Sequence, residues 1–545
     1  MARVLISDKM SPRAAEILQA RGLEVDVKPG MAPDELKACI GGYDGLAIRS
    51  ATKVTEDVLA VANGLKVIGR AGIGVDNVDV AAATAQGVVV MNTPFGNAIT
   101  TAEHAIALLM ALARQLPQAN ASTHAGKWEK SRFMGVEVMN KTLGIIGCGN
   151  IGSIVADRGR GLKMRVIAYD PYLAPERADD LGIEKVELET LLKRADFISL
   201  HAPATRETRG IINAQSIAKM KRGVRIVNCA RGSLIVEADL KAALESGHVA
   251  GAALDVFAEE PAKENALFGM EQVIATPHLG ASTTEAQEKV ALQVAEQIAD
   301  YLVDGSVVNA LNMPSVSAEE MPRLRPYMGI ARQLGSFAGQ ITETALKAVI
   351  IEYQGAAAEI NCRPLTALVL EGLLAPLLAT VNMVNAPTIA RDRDIEVSEV
   401  KTARAGRYES LIRLIVKTEA RARSVSATLF NGDSPRLVEI EGIPVDARLA
   451  PNMLYINNHD KPGLIGALGT TLGEAGINIA SFHLGRNFPG GDAIALLEVD
   501  ETPSPEVLEA VQALPTSCAP ARCASRPARF SSRTAAPVAT DPAVG

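Results

Sequence analysis

The stretch Gly147-Cys148-Gly149-Asn150-Ile151-Gly152 constrains this chain more than any other. It follows an apolar run, Lys141–Ile146, that predicts a buried strand, and precedes Ser153–Leu162, whose spacing predicts a helix. A second strand is expected over Arg165–Tyr169 and ends in Asp170, 18 residues after the last glycine. A GxGxxG alone says little, because glycine turns are common. Strand, glycine fingerprint, helix, strand and terminal acid within about thirty residues is the pattern of a dinucleotide-binding βαβ unit.

Each residue type has a physical reason. Gly147 permits a tight turn, Gly149 lets the backbone approach a pyrophosphate, and Gly152 lets the helix close on the strand. The helix N-terminus then offers unpaired N–H groups and the positive end of a dipole to that pyrophosphate, with Asn150 and Ile151 expected against the cofactor. Asp170 can accept hydrogen bonds from an adenosine ribose and repels a 2′-phosphate, so NAD is expected rather than NADP.

A chain of 545 residues is too long for one core, and about three or four domains are expected. Only 3% of residues are aromatic while 45 are glycine, which suits an Ala/Val/Ile-rich α/β protein. A net charge of −7 argues against a nucleic-acid surface. The six cysteines, at 39, 148, 229, 362, 518 and 523, show no paired metal spacing. A reduced, cytoplasmic setting without a metal is therefore expected. Met1–Asp8 reads as a first strand rather than a signal peptide. Leu365–Val384 is apolar, but Glu371, Pro376 and Asn382 interrupt it, and a buried helix hairpin is expected rather than a membrane span.

From residue 1 to about 95, short strands (Arg3–Ser7, Glu24–Val27, Gly45–Ile48, Lys66–Ile68, Val88–Met91) alternate with helical stretches, which implies a parallel sheet covered by helices. Thr100-x-x-Glu103 reads as a capping box opening a helix over Ala102–Arg114, with His104 as a packed core histidine. After the glycine unit, strands are expected at Phe197–Leu200, Arg225–Asn228, Ala250–Leu254 and Val273–Ala275. A helix over Thr283–Val303 then returns the chain to the first sheet. Near Met313-Pro314 the nucleotide-binding character ends, and from Met453 the order reads βαββα.

Three polar residues fall at expected strand ends, the edge where open α/β sheets bind ligands. They are Arg231 within Val227–Gly232, Glu260 within Ala253–Pro261, and His278, which closes Ile274–His278. Taken singly, they also read as a surface ion pair, a solvated loop acid and a strand-end histidine. Together, in the contexts Cys-Ala-Arg-Gly, Ala-Leu-Asp-Val-Phe-x-x-Glu-Pro and Ala-Thr-Pro-His-Leu-Gly, they resemble the catalytic set of the D-2-hydroxyacid dehydrogenases. The resemblance implies oxidation of a secondary alcohol by NAD. His278 would take the hydroxyl proton, Glu260 would hold its ring and stabilise the imidazolium, and Arg231 would bind the substrate carboxylate through its planar fork.

The same resemblance places Pro203, Cys229, Ala230, Asp255 and Gly280 against the cofactor. Gly69–Asp79 looks like the family's substrate loop, with Gly72 and Ile73 offering backbone N–H groups to a carboxylate. Arg49 and Ser50 end a strand facing the same cleft, and Arg49 in close relatives helps bind a phosphate. Asn92–Asn97 looks like the interdomain hinge, with Asn97 toward substrate and Phe95 standing where relatives often carry a polar residue. Lys127–Met134 resembles a loop that reaches a neighbouring subunit; an exposed basic loop and a substrate role for Lys130 or Arg132 both fit.

The back half resembles the long, phosphoglycerate-oxidising branch of that family, over about residues 1–514. The expected fold is α/β. A flavodoxin-like substrate domain (1–96 and 280–312) and a Rossmann NAD domain (97–279), both doubly wound parallel sheets, precede an allosteric-substrate-binding-like middle domain (315–447) and a βαββα ACT module (452–514). The resemblance implies conversion of 3-phospho-D-glycerate to 3-phosphonooxypyruvate, the first step of a phosphorylated route to serine, by a homo-oligomer (dimer or tetramer). In the ACT module, Asn458, Asp460 and Asn478 would hold serine as effector. Pro515–Gly545 is rich in Ala, Pro, Ser and Arg and lacks β-branched alternation. The ACT sheet is accordingly expected to miss its last strand, the tail 515–545 to be disordered or aberrant, and serine inhibition to be weak or absent. Two other readings stand beside this one: another D-2-hydroxyacid dehydrogenase, such as a hydroxypyruvate or 2-oxoglutarate reductase, and an NAD-sensing corepressor-like binding protein. No nucleic-acid or membrane partner is expected.

Overall fold

A computed structural model describes residues 1–94, 96–342, 344–378, 380–514 and 517–524, the last eight by their backbone. Phe95 and, from the tail, Pro515, Thr516 and 525–545 lie outside the described residues. The chain divides into two compact units, Met1–Val78 with Met91–Val303, and Asp79–Val90 with the residues from Asp304 on.

The first unit is built on two sheets. One runs in the order Glu24–Val27, Arg3–Ile6, Gly45–Ile48, Val67–Arg70, Val89–Asn92, the flavodoxin-like order. The first four strands pair in parallel. The inner strands are apolar on both sides, with Val4, Leu5, Ile6 and Gly45–Ile48 buried, because helices cover both faces of such a sheet, whereas no residue of the edge strand Glu24–Val27 is buried. The helix Thr284–Asp304 lies against it. A Cβ on Gly69 would stand 2.6 Å from both Ile298 and Val294 of that helix, so the glycine sets the distance of approach.

The second sheet is parallel throughout, in the order Val273–Ala275, Val249–Leu254, Val224–Asn228, Phe197–Leu200, Thr142–Ile146, Arg165–Tyr169, Glu184–Lys185. Thr142–Ile146 has Phe197–Leu200 on one side and Arg165–Tyr169 on the other. The glycine loop that follows it therefore emerges where the strand order reverses, the place such sheets bind ligands. The helix expected from Ala102 begins one turn earlier, at Ala98 with Asn97 as its N-cap. Thr100 and Glu103 lie inside the helix and form no capping box: with no glycine or proline between Asn97 and Thr100, nothing stops the helix growing back a further turn.

In the second unit a six-stranded sheet runs Glu396–Thr402, Leu346–Gly355, Ser410–Thr418, Ala422–Phe430, Ser434–Ile440, Ile443–Ala447. The helices Met321–Gln340 and Arg363–Leu374 pack backbone to backbone, since a Cβ on Gly335 or Gly339 would overlap the carbonyls of Val369 and Leu373. The apolar segment from Leu365 thus finds its hairpin partner in Met321–Gln340 and not in its own second half. No helix among the described residues is long and apolar enough to cross a membrane.

The last module has the helices Leu464–Glu474 and Pro505–Gln512 against a sheet ordered Ile479–Arg486, Asp492–Val499, Asn452–His459, Ser517–Ala524. Alternation along Asn452–His459 sends Leu454 and Ile456 toward those helices and Met453 and Tyr455 into the middle domain's core. The Tyr455 ring meets Phe337 edge to face at 5.7 Å. The expectation of a missing last strand is corrected here: Ser517–Ala524 pairs antiparallel with Asn452–His459. An edge strand needs only its backbone N–H and C=O groups, and it tolerates a proline such as Pro520, which stands opposite Ile456.

Candidate active site

The glycine loop has the shape its sequence demands. Gly147 has φ +90°, and a Cβ there would lie 2.6 Å from the backbone nitrogen of Ala202. A Cβ on Gly152 would overlap the carbonyl oxygen of Gly147. Gly149 differs, because nothing of the protein lies within 4 Å of where its Cβ would be. That open face sits at the start of the helix Asn150–Gly161, whose first N–H groups, Ile151 among them, have no partner in the preceding turn. Asp170 accepts the N–H groups of Cys148 and Tyr172, both at 2.8 Å, and ties the loop to the tip of the next strand. A carboxylate has about four lone-pair sites, so acceptor capacity remains for a ribose. Ala230 donates its N–H to Asn228 Oδ1 at 3.0 Å, Cys229 is buried, and Pro203 is exposed beyond the strand Phe197–Leu200. An open glycine cradle, a helix N-terminus and a strand-end acid fit a dinucleotide.

His278 Nδ1 lies 2.7 Å from Glu260 Oε2, and Glu260 Oε1 accepts the Phe257 N–H at 3.0 Å. A carboxylate only accepts, so Nδ1 carries the proton of a neutral His278 and Nε2 keeps its lone pair. The Glu260 hydrogen bond, outweighing burial and helped by the charges of Glu260 and Asp255, raises the pKa of His278 above its ordinary value. Burial pushes Glu260 upward, but hydrogen bonds from His278 and Phe257, with the charges of His278 and Arg231, bring it below the usual carboxylate range.

Arg231, the third expected member, donates Nε to Asp76 Oδ2 at 2.8 Å and Nη1 to the Ala230 carbonyl at 2.7 Å. A Cβ on Gly74 would overlap its guanidinium, so the glycine-rich substrate loop and the arginine fit one another. Asp255, expected against the cofactor, lines the same cleft, yet its fully buried carboxylate is committed to Thr276 Oγ1 (2.6 Å) and to the N–H groups of Leu279 (2.7 Å) and Gly280 (2.8 Å). It holds the loop that carries His278.

A cleft of about 640 Å³ is lined by the His278–Glu260 pair together with Arg49, Ser50, Arg70 and Gly72. The Arg49 N–H donates to Asp8 Oδ2 (2.6 Å), and Asp8 also takes the Thr52 hydroxyl (2.8 Å). Asn77 Nδ2 donates at 2.7 Å to the carbonyls of both Arg49 and Thr52. The loop bearing Arg49 is clamped on both sides, by two residues that sequence reasoning passed over. The Gly72 N–H is taken by Thr93 Oγ1 at 2.7 Å, so this amide is not free for a carboxylate as expected, and the Ile73 carbonyl accepts from Asn92 Nδ2 at 2.6 Å. Asn97, only 8% exposed, faces the cleft with its Oδ1 buried and unpartnered among the described residues.

Arg70 was missed as a site residue. The sequence ends its strand at Ile68, whereas the strand runs to Arg70 and delivers the guanidinium to the cleft wall. Its Nε is buried without a hydrogen-bond partner among the described residues. Burial, followed by repulsion from Arg231, pulls its pKa to about 10, which leaves it cationic at neutral pH. The signal was available: a cation two residues past an apolar run, directly before a glycine loop. Lys127–Met134 does not line the cleft; Arg132 pairs with Glu129 and Glu271, and Trp128 is 87% exposed.

The three expected effector residues bind three different partners. Asn458 is buried, with Nδ2 on the His459 carbonyl. Asp460 accepts from Arg486 Nη1 (2.7 Å) and the Gly490 N–H (3.0 Å), and Asn478 donates to Asp500 (2.7 Å).

Family models match three stretches: D-isomer specific 2-hydroxyacid dehydrogenase, NAD binding domain, at residues 106–280; D-3-phosphoglycerate dehydrogenase intervening domain at 323–441; and ACT domain at 452–516. The chain is 44% identical over 510 residues to the D-3-phosphoglycerate dehydrogenase of Synechocystis sp., covering 93% of this chain and 92% of that one. To the Bacillus subtilis protein of the same name it is 43% identical over 503 residues, 92% and 95% of the two chains. Among solved structures it is similar to a glyoxylate reductase from Paecilomyes thermophila (TM-score 0.53, 31% identity, 57% of this chain and 98% of that one). A D-lactate dehydrogenase from Aquifex aeolicus complexed with NAD and lactic acid aligns with TM-score 0.52 and 26% identity, over 57% and 100% of the two chains.

Proposed function

This chain belongs to the D-3-phosphoglycerate dehydrogenase family, and on that premise we propose how its residues divide the work. The reaction is the NAD-dependent oxidation of 3-phospho-D-glycerate to 3-phosphonooxypyruvate in serine biosynthesis. Gly147–Gly152, the N-terminus of Asn150–Gly161 and Asp170 hold the cofactor. NAD bound there would supply the acceptor for the hydride that leaves C2 of the substrate. His278 Nε2 takes the proton of the C2 hydroxyl, while Glu260 fixes the ring and stabilises the imidazolium that forms. Arg231 takes the substrate carboxylate in a bidentate grip, exchanging its contact with Asp76. Arg49 and Arg70 take the phosphate, and Asn97 Oδ1 accepts a hydrogen bond from the substrate.

The observation that carries this reading is the 2.7 Å His278–Glu260 pair in the same cleft as the two guanidinium groups of Arg49 and Arg70. A hydrogen bond to a charged partner contributes about 1.5–3 kcal/mol. Arg49→Ala and Arg70→Ala should each raise the KM for phosphoglycerate about 10- to 100-fold while leaving turnover of glycerate, which lacks the phosphate, nearly unchanged. Equal loss on both substrates would make them structural residues.

Regulation belongs to the same proposal. L-Serine is the effector of the ACT module, bound between paired modules of a homo-oligomer, a dimer or tetramer, in the cytoplasm. The module is matched at residues 452–516, and the strand Ser517–Ala524 completes its sheet, so the reason for expecting weak inhibition is gone. Light scattering with and without serine, alongside initial rates, tests both parts.

A further inference from the structure

His278 sits in a left-handed backbone conformation, φ +55°, which a residue with a side chain adopts only when its surroundings impose it. What imposes it is Asp255. The His278 N–H donates to the Asp255 carbonyl at 2.9 Å, and the Asp255 carboxylate gathers Thr276 Oγ1, the Leu279 N–H and the Gly280 N–H, bracketing His278 from both sides. A fully buried carboxylate bound this way still has to be held in place from outside the loop. His104 does so: its Nε2 lies 3.2 Å from Asp255 Oδ1 and 3.4 Å from Thr276 Oγ1. Three residues earlier on the same helix, Thr101 Oγ1 donates to the Gly280 carbonyl at 2.9 Å. Residues three apart share a helix face, so one face of Ala98–Arg114 grips both ends of the catalytic loop.

We propose that His104 is a positioning residue for the reaction: its Nε2–H bond to Asp255 keeps the 276–280 loop registered so that His278 Nδ1 stays on Glu260 and Nε2 stays aimed at the cleft. The inference rests on His278 being the base. Thr276 Oγ1 donates its own proton to Asp255, so His104 Nε2 faces two acceptors and must itself be the donor. Asp255, Thr276 and the buried thiol of Cys229 surround His104, whereas Glu260, Asp255 and Arg231 act on His278. The thiol is held neutral by burial, so the charged group facing His104 is Asp255.

The test compares His104→Leu, which keeps the bulk and removes the donor, with His104→Gln, whose Nε2 can replace the ring nitrogen. His278→Ala is assayed in parallel. His104→Leu should lower kcat with phosphoglycerate roughly 10- to 100-fold, the scale of a small misplacement of a reacting group, with KM changed less than about twofold. Because a loosened His278–Glu260 bond no longer raises the histidine's pKa, the limb of the oxidation pH profile on which rate climbs should move to lower pH. His104→Gln should restore most of kcat and return the limb. An unmoved limb with kcat within twofold of wild type overturns the inference, and so does an equal loss in Leu and Gln variants with the limb unmoved. If the Leu variant does not fold, as judged by NADH binding, His104→Asn carries the test, since its shorter amide falls short of Asp255: a loss of kcat with NADH binding retained supports the role, and wild-type kcat overturns it. Near-normal turnover in His278→Ala would remove the base assignment itself; loss there with none in the His104 variants removes only this inference.

Discussion

At the scale of single residues, chemistry depends on which atom holds a proton. Glu260 raises the pKa of His278, and its own lies below the usual carboxylate range. Oxidation requires neutral His278, so its rate should climb with pH through a value above that of an ordinary histidine, about 6.5. Glu260→Gln removes the charge that favours imidazolium, which moves the limb to lower pH and should cost roughly 10²-fold or more in kcat. A pH profile of Glu260→Gln that overlays wild type would contradict the pair as drawn. The sequence made Arg231, Glu260 and His278 legible because each stands in a distinctive context at a strand end. It hid His104, Asp8 and Asn77 for one shared reason. Their importance lies in partners 25 to 172 residues away, such as Asn77 with Thr52, Asp8 with Arg49, or His104 with Asp255 and Thr276, and no local pattern carries that information.

Elements are legible where apolar runs are short and bounded by turn residues. Glu24–Val27, Gly45–Ile48, Arg165–Tyr169 and Phe197–Leu200 have the bounds their sequence predicts. The helix from Ala98 does not, because Thr100 and Glu103 imitate a capping box one turn inside it. Ser517–Ala524 escaped because its side chains lack strand character while its backbone still completes a ladder. The glycine loop offers a clean separation of folding from binding. A methyl on Gly152 would overlap the Gly147 carbonyl, whereas one on Gly149 would stand in open space. Overpacking typically costs about 1–3 kcal/mol. Gly152→Ala should therefore lower the thermal midpoint and weaken NADH binding together. Gly149→Ala should leave the midpoint within about a degree or two of wild type and still lose NADH affinity by tenfold or more, since only the pyrophosphate's approach is blocked. Thermal unfolding and NADH fluorescence titration, side by side, decide it; a Gly149→Ala protein that binds NADH normally would place the cofactor elsewhere.

At the scale of the whole molecule, every residue proposed for chemistry lies before residue 310, while the ACT module and the middle domain share a hydrophobic core in the second unit. Deleting residues 515–545 removes the strand paired to Asn452–His459 and uncovers that strand's edge. The truncated protein should keep its dehydrogenase turnover within about twofold and lose its response to serine; undiminished serine inhibition after truncation would remove the strand from the effector's machinery. The proposed task of the whole molecule is turnover of a phosphorylated D-hydroxyacid, with Arg49 and Arg70 reading the phosphate. Its most direct measurement is NADH formation by the purified full chain supplied in turn with 3-phospho-D-glycerate, D-glycerate, D-lactate and D-2-hydroxyglutarate. Two guanidinium contacts at about 1.5–3 kcal/mol each predict a kcat/KM for phosphoglycerate at least about 10²-fold above that for glycerate. Equal kcat/KM for glycerate and phosphoglycerate would contradict it.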